Sequence, residues 1–240
     1  MKISAVVMTL NEESNIDRCL SSLAFADEIV VLDSFSTDRT VEIARNYTNK
    51  VAQQEFKSSS EQRLAATEMT TNEWLLFVDA DEVVTVALAE EICQAVKSEK
   101  YAAYRLPRLT YFLGKPIRGC GWYPDPVVRL MRKSKAQWSF RLVHESAEID
   151  GRVGDLSENL LHYSFKDLES IVRKTHTYAR LSAQQKVLEG KDFQLYRLVF
   201  GPVSTFIKKY VLQQGYRDGV RGLIISGFCS VGSFMRYAML

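Results

Sequence analysis

The sequence predicts an α/β fold in which a mostly parallel sheet is flanked by helices and followed by a helical extension. Three observations predict it. Apolar, β-branched runs alternate with helically spaced apolar residues through the first hundred positions. Three of those runs end in polar residues, as strands do where a ligand cleft opens at their carboxyl ends. From residue 167 onward the pattern is helical alone.

The elements follow in order. Strands are expected at "ISAVVMT" (3–9), "EIVVLD" (28–33), "KVAQQ" (50–54) and "EWLLFVD" (73–79). Helices are expected between them, on the spacing of Ile16, Leu20 and Leu23, of Val41 and Ala44, and of Leu64, Ala65 and Met69, with a further helix at 86–96. Alternation at this period implies right-handed crossovers and parallel strands. Past residue 100, "YRLPRLTYFLGKPIRGCGWYPDPVVRLM" reads as shorter strands with Gly and Pro punctuation, a mixed or antiparallel extension. The expected division is a catalytic domain over 1–164 and a basic helical extension over 165–240.

Composition bounds the function. The chain has 240 residues, 46% hydrophobic and 25% charged, enough for one substantial domain and an appendage and unlike a disordered tail. Cys19, Cys93, Cys120 and Cys229 form no CxxC pair, which argues against a zinc ribbon, a redox motif or a disulfide framework and for a reducing compartment. The opening "MKISAVVMTLNEE" is too short an apolar run for a secretory signal, so a cytoplasmic location is expected. Charge is uneven: residues 1–164 carry 19 Lys/Arg against 24 Asp/Glu, and residues 165–240 carry 12 against 5. A basic end of this kind meets something anionic, a membrane surface or a nucleic acid.

The run "WLLFVDADE" sets Asp79, Asp81 and Glu82 at the end of a buried strand. Carboxylates at i and i+2 on a tight turn can hold Mg²⁺ or Mn²⁺, whose remaining ligands are commonly phosphate oxygens. Such a cation neutralises a departing diphosphate. The plainer alternative is that Asp79 and Asp81 cap the next helix.

An ordered set of motifs resembles the family 2 glycosyltransferases of GT-A fold: "VVMTLNEESNIDRCLSSL", "DEIVVLDSFSTDRTVEIA", "EQRLAA" and "WLLFVDADE", together covering about residues 1–96. The later "GWYPDPVVRLMR", "VHE" and "LLHYS" are similar to a bacterial subgroup that adds glucose to an inner-core heptose of lipopolysaccharide. The resemblance implies an inverting, metal-dependent transfer from a UDP-sugar, UDP-glucose being the expected donor, to a lipid-linked saccharide, with Mn²⁺ or Mg²⁺ as cofactor and no nucleic-acid partner.

It also implies roles. Thr9, Asn11 and Glu12 line the nucleoside pocket, Asp33 hydrogen-bonds the base with Asp38 close by, Arg63 meets phosphate, Asp79 and Ala80 contact the nucleotide sugar, and Asp79 and Asp81 ligate the metal, Asp81 the more directly. Asp33 and Asp38 read equally well as turn or cap residues in "DSFSTDRT". His144 reads either as a third metal ligand or as a structural histidine, ahead of His162 and His176 as a ligand candidate. Inverting members need a carboxylate base. Their usual acidic pair is absent here; Asp125, ahead of Arg129, is the first candidate and Glu145 the second. Trp122 and Tyr123 read either as a sugar-stacking platform or as core.

The apolar stretch "GLIISGFCSVGSFM" (222–235) is 14 residues long, shorter than the roughly 20 needed to span a bilayer. With its basic flanks it suits attachment to the anionic inner leaflet of the cytoplasmic membrane; a helix pair packed on the catalytic domain or on a second subunit is the alternative. Two other functions remain open. A sugar-phosphate nucleotidyltransferase shares the architecture, but "MTLNEES" lacks the usual Gly-rich basic loop. A non-catalytic membrane scaffold would keep the fold and lose the site.

Overall fold

The computed structural model describes residues 1–138, 147–165 and 168–240. Two compact units are built from interleaved segments: Met1–Arg108 with Pro126–His162, and Leu109–Asp125 with Tyr163–Leu240.

The centre of the first unit is the parallel set expected from the sequence. Strand β1 (Ile3–Thr9) pairs in parallel with β2 (Glu28–Asp33) and with β4 (Trp74–Asp79), and β2 pairs with β3 (Val51–Gln53). β1 and β4 read as near-continuous apolar runs because both faces are covered: Val6, Val7, Leu75 and Leu76 have no exposed surface. Helices α1 (Ile16–Ser21), α2 (Thr40–Ala44) and α3 (Ser59–Glu68) connect them. α1 turns Ile16, Cys19 and Leu20 inward at the i, i+3, i+4 spacing. α3 starts where Ser58 Oγ accepts from Glu61 N at 3.2 Å, half of an S-x-x-E capping box.

After β4 the chain makes β5 (Glu82–Val84) and α4 (Val86–Ser98), which buries Leu88, Ile92, Ala95 and Val96. Strand β6 (Ala103–Phe112), the short β7 (Lys115–Pro116) and β8 (Asp125–Arg132) supply the antiparallel extension. β8 runs antiparallel to β4, setting Leu76 opposite Leu130 and Trp74 opposite Arg132. β9 (Ala136–Trp138) and β10 (Ala147–Ile149) form a separate ribbon, while β11 (Val153–Asp155) pairs with β6. β12 (Leu160–Phe165) returns antiparallel to β5. The main sheet has the order β3-β2-β1-β4-β8-β6-β12-β5.

The second unit is mainly helical: α5 (Leu168–Leu188), α6 (Leu195–Ile207), a π-helical turn over Lys208–Leu212, and α7 (Val220–Ala238). Its core gathers Phe112, Ile117, Cys120, Ile171 and Ile225. Arg221 donates twice to the Leu113 carbonyl, at 3.1 and 2.9 Å, and Asp218 accepts from the backbone of Arg118 and Gly119. At Gly222 a Cβ would lie 1.8 Å from the Gly215 carbonyl oxygen, so close packing of α7 requires glycine there. The four cysteines are free. No helix among the described residues is long and apolar enough to cross a membrane.

Candidate active site

The carboxyl ends of four parallel strands lie in register. Thr9 is opposite Asp33, Asp33 opposite Gln53, and Met8 opposite Asp79. Parallel pairing, with α1, α2 and α3 as the connections, brings these polar residues to one end of the sheet, where α/β folds bind ligands.

The loops after β1 and β2 are tied to each other. Asn11 takes a left-handed backbone (φ 54°). Its N–H donates to Ser36 Oγ at 2.8 Å, and its Oδ1 accepts from Thr37 N at 2.8 Å. Glu12 N donates to Thr40 Oγ1 at 2.8 Å, while the Glu12 carboxylate accepts from Asn15 Nδ2 at 2.6 Å. Asp38 accepts from Thr40 N at 3.0 Å, from the Thr40 hydroxyl, and from Glu13 N at 3.1 Å. Slight burial raises its pKa, but these hydrogen bonds outweigh that and hold the carboxyl below the usual range. Asp33 is fully buried and accepts from Ser36 N (2.8 Å), the Ser36 hydroxyl and Gln53 Nε2 (2.9 Å). Both aspartates therefore accept hydrogen bonds that tie their turns. Thr9 Oγ1 is buried without a hydrogen-bond partner at the strand end. A buried hydroxyl left so costs about 1–3 kcal/mol, which a bound polar group would relieve.

The acidic turn does not cap α4. Thr85 does, its Oγ1 accepting from Leu88 N at 3.1 Å. Ala80 is buried in the core, so the turn presents its two neighbouring carboxylates differently. Asp79 is held by Arg129: Nη2 bonds Oδ2 and Nη1 lies 3.4 Å from Oδ1. The same Nη2 donates to Glu82 Oε1 at 2.8 Å, and Arg108 Nη1 approaches that oxygen at 3.4 Å. Glu82 Oε2 accepts from Asp79 N at 3.0 Å, closing the turn. Burial pushes Asp79 up, but the Arg129 charge and hydrogen bond, with the Arg63 charge, bring its pKa below the usual value. Glu82, fully buried, goes the other way because desolvation outweighs Arg129. Arg63 also lies over the Trp138 ring, 5.7 Å from its centroid. Cys19 Sγ touches the Asp79 carbonyl at 3.5 Å; burial and then Glu82, Asp79 and Asp81 push its thiol pKa well up, which makes it a poor nucleophile.

Asp81 meets a residue that the sequence reading weighted less than His144. The antiparallel pairing of β12 with β5 places His162 opposite Glu82, and His162 Nε2 lies 3.3 Å from Asp81 Oδ2. Among the described residues no group of three or more His, Cys, Asp and Glu could hold a metal. An Asp81–His162 pair nevertheless suits a divalent cation that takes its other ligands from phosphate and water, whereas Asp79 is engaged by Arg129. His144 and Glu145 lie outside the described residues.

Trp122, Tyr123 and Asp125 belong to the second unit. Trp122 stacks on Phe165 with ring centroids 5.2 Å apart and packs against that unit's core. The Arg118 guanidinium lies 5.1 Å from the centroid of the Tyr123 ring. Asp125, half-buried, opens β8. His176 lies within α5.

A parallel sheet with polar strand ends, an acidic turn and an antiparallel extension defines a protein of GT-A fold. The chain belongs to glycosyl transferase family 2, whose family model matches residues 4–135. It is 28% identical over 253 residues to the lipopolysaccharide core biosynthesis glycosyltransferase LpsC of Rhizobium meliloti, covering 100% of this chain and 92% of that protein. It is 29% identical over 259 residues to an uncharacterized glycosyltransferase of Rickettsia typhi, covering 100% of this chain and 86% of the relative. Among solved structures, S. aureus TarS 1–349 in complex with UDP-GlcNAc superposes with a TM-score of 0.51 at 18% identity, over 94% of this chain and 79% of that one. Another S. aureus TarS structure matches with a TM-score of 0.50 at 19% identity, over 92% of this chain and 46% of that one.

Proposed function

We propose that this glycosyltransferase is inverting and metal-dependent and moves glucose from UDP-glucose to a lipid-linked saccharide, the inner-core heptose of lipopolysaccharide. The observation that carries the donor half is the register of Thr9, Asp33 and Asp79 at the strand ends, with Asp81 and His162 meeting beside them. The UDP-GlcNAc in the TarS complex supports a uridine nucleotide sugar as donor. The role of LpsC in lipopolysaccharide core biosynthesis supports the acceptor class.

In this reading the loops after β1 and β2 frame the nucleoside, and the unpartnered Thr9 hydroxyl gains a polar contact. Arg63 adds positive charge on the phosphate side of Asp79. Asp81 and His162 would hold Mn²⁺ or Mg²⁺, which when bound supplies positive charge to the departing diphosphate. Arg129, Glu82 and Asp79 keep the turn rigid, so that Asp81 is preoriented. Asp125 is the proposed base, taking the proton of the acceptor hydroxyl as that oxygen attacks the anomeric carbon. The family match favours sugar transfer over the nucleotidyltransferase reading.

The test is release of sugar from a panel of nucleotide sugars, beside calorimetry with UDP in the presence and absence of Mn²⁺. The reading expects hydrolysis of UDP-glucose above the other donors and UDP binding that depends on Mn²⁺. A chain that binds no nucleotide under either condition is a scaffold.

A further inference from the structure

We infer that α6 and the π-helical turn after it form a surface that lies in the interfacial plane of an anionic bilayer. This deepens the lipid-linked acceptor reading and rests on it only for its purpose, since the surface stands on its own observations. The sequence had put the membrane contact at 222–235, yet α7 turns Gly222, Ile225, Ser226 and Ser233 inward. α6 has no buried residue at all. Leu195, Val199, Val203 and Ile207, four apart, make an exposed apolar stripe, widened by Phe200 beside it and continued by Leu212 in the next turn.

Length and charge decide the occupant. Thirteen helical residues extend about 20 Å, against a hydrocarbon core of about 30 Å, so α6 can lie along the membrane and cannot cross it. Residues 193–240 contain six cations, Arg197, Lys208, Lys209, Arg217, Arg221 and Arg236, and one acid, Asp218; Lys209 and Arg221 donate inward to the Cys120 and Leu113 carbonyls, while Lys208 and Arg217, on either side of Leu212, are exposed. That one carboxylate is turned into the fold, accepting from Arg118 N and Gly119 N at 3.2 and 2.7 Å. A two-fold contact with a second copy would set this cationic segment against itself. Anionic lipid headgroups complement it, and an apolar stripe with basic neighbours is the composition of interfacial helices.

The experiment is co-sedimentation of the full chain with phosphatidylcholine vesicles, with and without phosphatidylglycerol, and light scattering over a range of protein concentration. The variants are Val199→Glu with Val203→Glu, and Lys208→Glu with Arg217→Glu; all four side chains are exposed, so native thermal melting is expected. Wild type should bind phosphatidylglycerol vesicles, and each pair should weaken binding by about tenfold or more. UDP-sugar hydrolysis, measured on the same samples, should be unchanged, and its loss in wild type would count against the transferase reading alone. Equal sedimentation of wild type and both variants overturns the inference, as does failure of wild type to bind anionic vesicles. A concentration-dependent dimer of wild type that Val199→Glu with Val203→Glu dissociates also overturns it, in favour of an interface between copies.

Discussion

His162 Nε2 lies 3.3 Å from Asp81 Oδ2 although 81 positions separate the two residues in the chain. The contact is made by one antiparallel pairing, β12 on β5, that folds the end of the first unit back onto the acidic turn. If the pair holds the cation, Asp81→Asn and His162→Ala should each weaken Mn²⁺-dependent UDP binding by about 10–100-fold, the usual cost of disturbing a metal ligand or its support. Neither side chain is part of the buried core, so thermal melting should stay near wild type. Calorimetry with UDP, with and without Mn²⁺, reads both effects; unchanged metal dependence in both variants places the ion elsewhere.

Arg129 should matter for stability more than for ligand contact. It is 5% exposed and bonds both Asp79 and Glu82, so Arg129→Met leaves two carboxylates facing a buried apolar group. Removing one partner of such a network costs about 3–5 kcal/mol. Glu82→Gln should cost less, because burial already raises the Glu82 pKa and an amide keeps an oxygen for the Asp79 N–H. Urea denaturation of the two variants should therefore separate them clearly, and equal midpoints would show that water reaches the network.

The parallel core was legible because its signal is local. The runs at 3–9 and 28–33 are the observed β1 and β2 residue for residue, and the polar ends of β1, β2 and β4 fall in register as strand-helix alternation implies. Asp79 and Asp81 were legible as a pair, but their different partners were not. Arg129 and His162 come from antiparallel strands whose register no local pattern encodes, and a lone Arg or His in sequence has no visible neighbour. Similarly, 222–235 and 195–207 are both apolar and helical. Only packing tells that glycine and serine let α7 seat closely while α6 keeps its stripe in solvent.

Acid should weaken the amino-terminal end of the parallel strands through Glu28. Burial raises its pKa, but hydrogen bonds from Lys50, Ser4 and Thr71 prevail and bring it from 4.5 to about 2. The lowered value means that the folded state binds the proton less readily than the unfolded chain. The stabilisation is therefore fully present above about pH 4.5 and lost as pH falls toward 2. Lys50 is partly exposed, so the amount is about 1–2 kcal/mol after solvent screening. Glu28→Gln should flatten the acid limb of a stability-versus-pH curve by that amount; a curve parallel to wild type between pH 5 and pH 2.5 removes Glu28 from the account.

Gly222→Ala should loosen the second unit. An added Cβ meets the Gly215 carbonyl oxygen at 1.8 Å, and because that contact is backbone, α7 or the turn at Gly215 must shift. Overpacking of this kind costs about 1–3 kcal/mol. Gly227→Ala on the same helix is the control, since its Cβ would meet nothing within 4 Å. Alanine there should be neutral or stabilising by helix propensity. Thermal melting that falls equally for both, or for neither, contradicts the packing described for α7.

Two substitutions test Asp125, half-buried where β8 opens, as the base against Glu145 in "LVHES". A general base contributes about 10²–10⁴-fold, so its amide variant should lose transfer to acceptor by that factor while the donor still binds. The separation works because the proposed donor contacts, Asp33, Arg63, Asp81 and His162, are altered by neither substitution. Asp125 is preferred because it precedes Arg129 at the spacing that the family resemblance implies for the base. The measurement is kcat for Asp125→Asn and Glu145→Gln, beside UDP affinity with Mn²⁺. A fall of orders of magnitude for Asp125→Asn, with UDP affinity intact, supports the assignment. Transfer within a few-fold of wild type for Asp125→Asn, together with a collapse for Glu145→Gln at unchanged UDP affinity, makes Glu145 the base.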